Sequence, residues 1–165
     1  MSRIEEALKN KKTFVGFLTA GDPGLDKTEE FILEMEKAGA GLIEIGIPFS
    51  DPTAEGPVIQ KANVRALSGG VTTDKIFDMV VKIRKKTSIP MVFMTYANVV
   101  FSYGTERFIR KAAEIGMDGL ILPDVPFEEK EEFDVVCKQY GLELISLIAP
   151  TSHDRITRIA KEANG

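Results

Sequence analysis

LIEIGIPFSDPTAEGPVIQ, residues 42–60, opens as an unbroken apolar strand with one carboxylate, Glu44, inside it. Side chains alternate across a strand, so Glu44 shares a face with Leu42 and Gly46 while Ile43, Ile45 and Ile47 take the other. Both faces are apolar, the pattern of a strand covered on both sides in a parallel sheet. A carboxylate there must be paired, hydrogen-bonded or neutral, and burial would raise its pKa toward the range useful for acid and base work near neutrality. The alternative is an edge strand on which Glu44 faces water. The following loop adds Asp51 and Glu55 among Pro48, Pro52, Gly56 and Pro57, which gathers carboxylates after the C-terminal end of one strand.

The whole chain bounds what such a site could serve. Its 165 residues suffice for one domain with a real core and fall short of two. Hydrophobic residues at 44% and charged residues at 28% are those of a soluble globular protein. No apolar run approaches the roughly 20 residues of a membrane span. The opening MSRIEEALKNKK is acidic as well as basic, unlike a secretory or transit signal, so a cytoplasmic location is expected. A net charge of -4 without a basic stripe argues against nucleic acid as a partner. One Cys and one His cannot assemble a zinc-type ligand cluster. Cys137, at helical spacing from Phe133, Val136 and Tyr140, reads as a small buried hydrophobe.

Outward from the central stretch, strands and helices alternate. Ser2 can cap a short helix carrying Ile4, Ala7 and Leu8 on one face. TFVGFL (13–18) reads as the first strand and TAGDPG as a turn. Asp26 with Glu29 suggests a capping box for a helix whose inward stripe is Phe31, Ile32, Met35 and Ala38. VIQKANVRAL (58–67) is helical in composition. A further helix from Thr73 turns Ile76, Phe77, Val80, Val81 and Ile83 inward and leaves Lys82, Arg84, Lys85 and Lys86 as a solvated face. Residues 90–94 form strand three, and TYANVVFSYG reads as a long aromatic-rich connection. Thr105 caps a helix with Phe108, Ile109, Ala112, Ala113 and Ile115 inward; GLIL (119–122) is strand four, and 128–140 is a helix. Residues 142–148 form strand five, with Glu143 at its start or on its solvent side, and a last helix begins at Asp154.

This alternation is the signature of a parallel α/β domain over residues 1–165. An open doubly wound sheet and the front part of a (β/α)₈ barrel both fit. Length favours the open sheet, since a barrel typically takes about 250 residues. The polar residues favour the barrel, because they follow successive strands: Thr19 and Asp22, then Asp51 and Glu55, then Tyr96 and Asn98, then Asp124. A barrel collects its active site from such strand ends.

The runs GFLTAGDP (16–23), IEIGIPFSDPTAEGPVIQ (43–60), MTYANVVFSYG (94–104) and GLILPDVPFEE (119–129), in that order and spacing, resemble the tryptophan synthase alpha chain family. The likeness runs along the whole chain but covers only about five of the eight βα units of such a barrel. It implies an incomplete TIM-type barrel, the N-terminal part of a (β/α)₈ fold. It also implies retro-aldol cleavage of indole-3-glycerol phosphate to indole and glyceraldehyde 3-phosphate, a lyase step of tryptophan biosynthesis that needs no cofactor, in a tetramer with a beta chain. Glu44 matches the family's acid/base glutamate. Glu55 stands at the second catalytic carboxylate, a position normally Asp, and its extra methylene displaces the carboxylate by something over ~1 Å, a shift able to cost about 10²-fold in rate.

Phe17, Tyr96 and Asp124 match substrate-pocket positions, although Phe17 could equally be barrel core and Asp124 could bond backbone at the mouth of strand four. Pro48, Phe49, Asp51 and Pro52 match the loop that faces the beta chain, and on residue grounds they read equally as a rigid turn. Asn98, Phe101 and Tyr103 would extend that surface. The phosphate loops that follow strands seven and eight of such barrels have no counterpart here. The chain alone is therefore expected to associate through the open edges of strands one and five and to have little activity. A non-catalytic module docking on a beta chain is the alternative. A Schiff-base aldolase would need an interior strand lysine, and no strand carries one.

Overall fold

The computed structural model describes residues 1–9, 12–151 and 153–163. Its strands are β1 (Val15–Thr19), β2 (Leu42–Gly46), β3 (Met91–Met94), β4 (Gly119–Ile121) and β5 (Glu143–Ile145), all parallel and paired in chain order. That order never reverses. A doubly wound sheet must reverse at a switch point so that helices reach both faces, whereas crossovers of one hand that always advance leave their helices on one face. The winding is that of a barrel, and the open-sheet alternative falls.

The helices are α1 (Arg3–Leu8), α2 (Leu25–Lys37), α3 (Pro57–Ser68), α4 (Thr73–Arg84), α5 (Ala97–Tyr103), α6 (Thr105–Glu114), α7 (Glu131–Tyr140) and α8 (His153–Glu162). Ile43, Ile45, Met91, Phe93, Leu120 and Leu144 leave the sheet on the helix side and form one core with Ile32, Phe77, Val80, Ile83, Phe108, Ile109 and Phe133. The other side of the sheet carries two registered rows. One is Phe17, Glu44, Val92, Gly119 and Glu143; the next is Thr19, Gly46, Met94, Ile121 and Ile145. Its small core joins Leu42, Val92 and Ile121 to Ile4 of α1, so the first helix plugs this inner face.

The plug is fastened by charge. Ser2 and Glu5 form a capping box at the start of α1. Arg3 then donates to Asp118 at 2.6 Å and to the Gly116 carbonyl at 2.9 Å. Asp118 also accepts from Arg84 at 2.7 Å and from the Met91 N–H at 2.8 Å. Arg84 is therefore no member of a solvated face: its side chain is 11% exposed, and burial lowers its pKa to about 10 against the opposing pull of Asp118. Lys82, Lys85 and Lys86 do face water.

Other expectations shift for local reasons. Helix α2 starts at Leu25 behind Gly24 without a side-chain cap, and Glu29 accepts from Lys86 at 2.6 Å instead of closing a capping box. Its buried positions are Thr28 and Ile32, while Phe31 and Ala38 lie exposed. Val81 is exposed on α4, where Met79 is buried. The segment after β3 is the helix α5 rather than a connection, and Thr105 is the first residue of α6 behind Gly104, not its cap. Strand β5 ends at Ile145, leaving Leu147 and Ile148 exposed. Glu143 starts β5 as expected, yet it is not on a solvent side: one of its carboxylate oxygens is fully buried, with no partner among the described residues.

Candidate functional site

Glu44 sits at the middle of β2, flanked by β1 and β3, so it is on an interior strand and not an edge. Its side chain lies on the inner face in the row of Phe17 and Val92. It is half-buried, and no hydrogen bond reaches its carboxylate from the described residues. Removal from water without compensation favours the neutral acid, and burial raises the Glu44 pKa. Two residues on, Gly46 makes room for its neighbour: a Cβ there would lie 2.7 Å from the Phe17 ring. Phe17 is partly exposed beside Glu44, which sets it apart from the enclosed helix-side core.

The loop after β2 is tied across to β3. The Ile47 N–H donates to the Met94 carbonyl at 3.0 Å and Pro48 is buried. The Phe49 ring lies 5.5 Å from that of Tyr96. Tyr96 is 3% exposed, and its hydroxyl accepts from the Ala54 N–H at 3.1 Å. A buried phenol needs such a partner, and here the partner is the loop itself. Glu55 is half-buried and accepts from the Asn63 side-chain amide at 2.6 Å, while Gln60 holds its carbonyl at 2.8 Å. Asp51 is exposed at the tip and takes the Ser50 hydroxyl, and Pro52 is half-buried.

At the mouth of β4, both oxygens of Asp124 accept from the Ala97 N–H, at 3.0 and 3.1 Å, at the start of α5. Asp124 thus bonds backbone there, as its alternative reading had it. Of the three aromatic-segment residues, Asn98 is exposed and Phe101 is exposed beside Phe133. Tyr103 instead packs on Phe77 and Phe108 and donates to Asp74 at 2.6 Å, which makes it part of the helix layer.

Arg65, Gly21 and Asn63 had no site role in the sequence reading, whereas Thr19 and Asp22 were among its polar strand-end residues. Arg65 of α3 grips Asp22 with two bonds of 2.8 and 2.7 Å, holding the carboxyl below its usual range and fixing the turn after β1. Gly21 in that turn has φ +88°, and a Cβ would meet Val71 at 2.3 Å, so only glycine fits. Thr19 stands on the inner face one row beyond Glu44, 6% exposed, its hydroxyl without a partner among the described residues. The signal for Asn63 was available: an amide lies between Ala62 and Ala66 in the inward stripe of α3. Cys137, by contrast, is buried as expected, and its thiol is pushed up to about 12 by burial.

A parallel sheet wound in one direction, with carboxylates collected where its strands end, defines a protein of the (β/α)₈-barrel class of which five units are present. Residues 4–165 match the family model described as tryptophan synthase alpha chain, and the chain belongs to that family. It is 52% identical to the tryptophan synthase alpha chain of Alkaliphilus metalliredigens over 162 residues, covering 97% of this chain and 61% of the relative. The crystal structure of the alpha chain from Legionella pneumophila superposes with a TM-score of 0.92 at 40% identity, covering 100% of this chain and 64% of that one. A chain in a structure of the tryptophan synthase a2b2 complex of Pyrococcus furiosus gives a TM-score of 0.87 at 36% identity, covering 93% of this chain and 63% of that one. The chain therefore spans about three fifths of the length of these relatives. Among the described residues, no helix is long and apolar enough to cross a membrane.

Proposed function

We propose that this chain carries the proton-transfer part of an indole-3-glycerol-phosphate lyase, the first five units of a barrel that the remaining length of its relatives would close. The observation behind the reading is Glu44, a desolvated carboxyl with raised pKa on the inner face of β2 beside Phe17. In the cleavage, the indole C3 gains a proton, the glycerol hydroxyl adjacent to the breaking bond loses one, and the bond electrons pass to the indole as the aldehyde forms. A carboxyl whose pKa burial raises above the ordinary range suits either transfer. Phe17 offers an apolar face for the ring. Glu55 is the acceptor for the indole N–H, whose acidity grows as the ring takes up its proton. Tyr96 supports that loop, and Asp124 fixes α5 at the rim. A beta chain would dock on the exposed Asp51 with Phe49 and Pro52, which the buried Pro48 holds in shape. A cytoplasmic location goes with this reading.

Indole release from indole-3-glycerol phosphate, measured for this chain alone and mixed with the last third of a full-length relative, tests the proposal. Release should be low alone, should rise on mixing, and should fall by about 10²-fold or more with Glu44→Gln, the scale of lost general acid/base catalysis. Undiminished release in that variant would overturn it. A second reading, a docking module without catalysis, is favoured by the apolar side chains left open at both sheet edges, Phe14 at 67% and Leu147 at 55% exposure. That module would bind a beta chain and release no indole under any of these conditions.

A further inference from the structure

Helix α3 turns an unusual residue inward. Asn63 lies between Ala62 and Ala66 in its buried stripe and is 4% exposed. A side-chain amide at such a place is costly unless bonded, and its Nδ2 donates to Oε2 of Glu55 at 2.6 Å, the short distance of a charge-assisted bond. The same helix reaches the Glu55 carbonyl through Gln60, and Tyr96 takes the N–H of the preceding Ala54. Three tethers thus converge on two consecutive loop residues. Among the described residues, the other carboxylate oxygen, Oε1, has no partner.

We propose that Asn63 is the positioning residue of Glu55: it anchors one carboxylate oxygen to a rigid helix and leaves the other free for the N–H of an indole ring. This rests on the reading of Glu55 as the indole acceptor. The anchor decides where the longer arm of Glu55 is accommodated, because a side chain fixed at α3 cannot swing freely with the loop. Glutamate at 55 with asparagine at 63 spans as many bonds as aspartate at 55 with glutamine at 63. Exchanging the methylene between the two positions should therefore preserve the tether.

The hold is tested first without ligand, by ¹⁵N–¹H spectra of this chain. One Asn63 side-chain amide proton should lie downfield of its geminal partner, should move as carboxylates titrate, and should lose both properties in Glu55→Ala. An Asn63 signal unaffected by Glu55→Ala would overturn the proposal. Binding of indole and of 1-methylindole then reads the carboxylate's placement. The wild-type chain should prefer indole by about tenfold, the scale of one charge-assisted bond. Asn63→Ala should abolish the preference while leaving 1-methylindole affinity unchanged. Glu55→Asp should reduce the preference, and Glu55→Asp combined with Asn63→Gln should restore it. A preference that survives Asn63→Ala intact would refute the positioning role. Equal affinities in the wild type, unchanged by Glu55→Gln, would instead refute Glu55 as the acceptor, with the spectra still deciding the hold.

Discussion

On the helix side of the sheet Ile43, Ile45, Phe93 and Leu120 are completely enclosed, whereas on the inner side of the same sheet Phe17, Glu44, Met94 and Glu143 are only partly covered. The helix side is packed by five helices' worth of apolar stripes. The inner side has α1 as its plug, which covers Leu42, Val92 and Ile121 and leaves Phe17, Glu44, Met94 and Ile145 only partly covered. The difference separates two tasks. Stability comes from the face whose apolar area is removed from water, and the face left incomplete holds the polar chemistry. Glu44 can keep a raised pKa because the strand that carries it is braced from behind.

If that division is right, substitutions on the two faces should differ sharply in denaturant unfolding. Phe93→Ala, which empties a site between Phe77 and Phe108, should cost about 3–5 kcal/mol. Asp118→Asn should come next, at about 3 kcal/mol, because it strands the nearly buried guanidinium of Arg84 and releases Arg3 of the plug. A cost near that of an exposed ion pair would show that the fastening of α1 contributes little. Glu44→Gln should be the mildest, neutral or slightly stabilising at neutral pH, since it replaces a desolvated acid with an amide. Its effect should depend on pH in one sense. Folding raises the Glu44 pKa above its ordinary 4.5, so the stability this group contributes is present below 4.5 and is lost as pH rises through the raised value. The gap between wild type and Glu44→Gln in a pH series of unfolding curves should change in that window and be flat on either side.

The strands were legible in the sequence because each is a short apolar run with Gly or Pro close to one of its ends, and β2 revealed its interior place through two apolar faces. The barrel winding was carried by polar residues after successive strands, not by periodicity. Arg84 was not legible, because a lysine-rich helix end looks solvated and its partner Asp118 lies 34 positions away. Helix α5 was hidden for a related reason: ANVVFSY has apolar residues on several sides and no charged face to reveal a period. Phe31 and Val81 broke the stripe pattern where helices meet water at their flanks. In the site, Glu44 was readable from its own strand, while Asn63 and Arg65 act across the loop and gain meaning only when α3 is placed beside it.

The most direct measurement is the titration of the Glu44 side-chain carboxyl by ¹³C NMR in this chain, assigned by comparison with Glu44→Gln. The inflection should lie clearly above 4.5, the ordinary value for the group, because burial on the inner face acts on it without a compensating bond. An inflection at or below that value would mean that Glu44 is solvated or paired, and the inner face would lose its claim to acid/base chemistry.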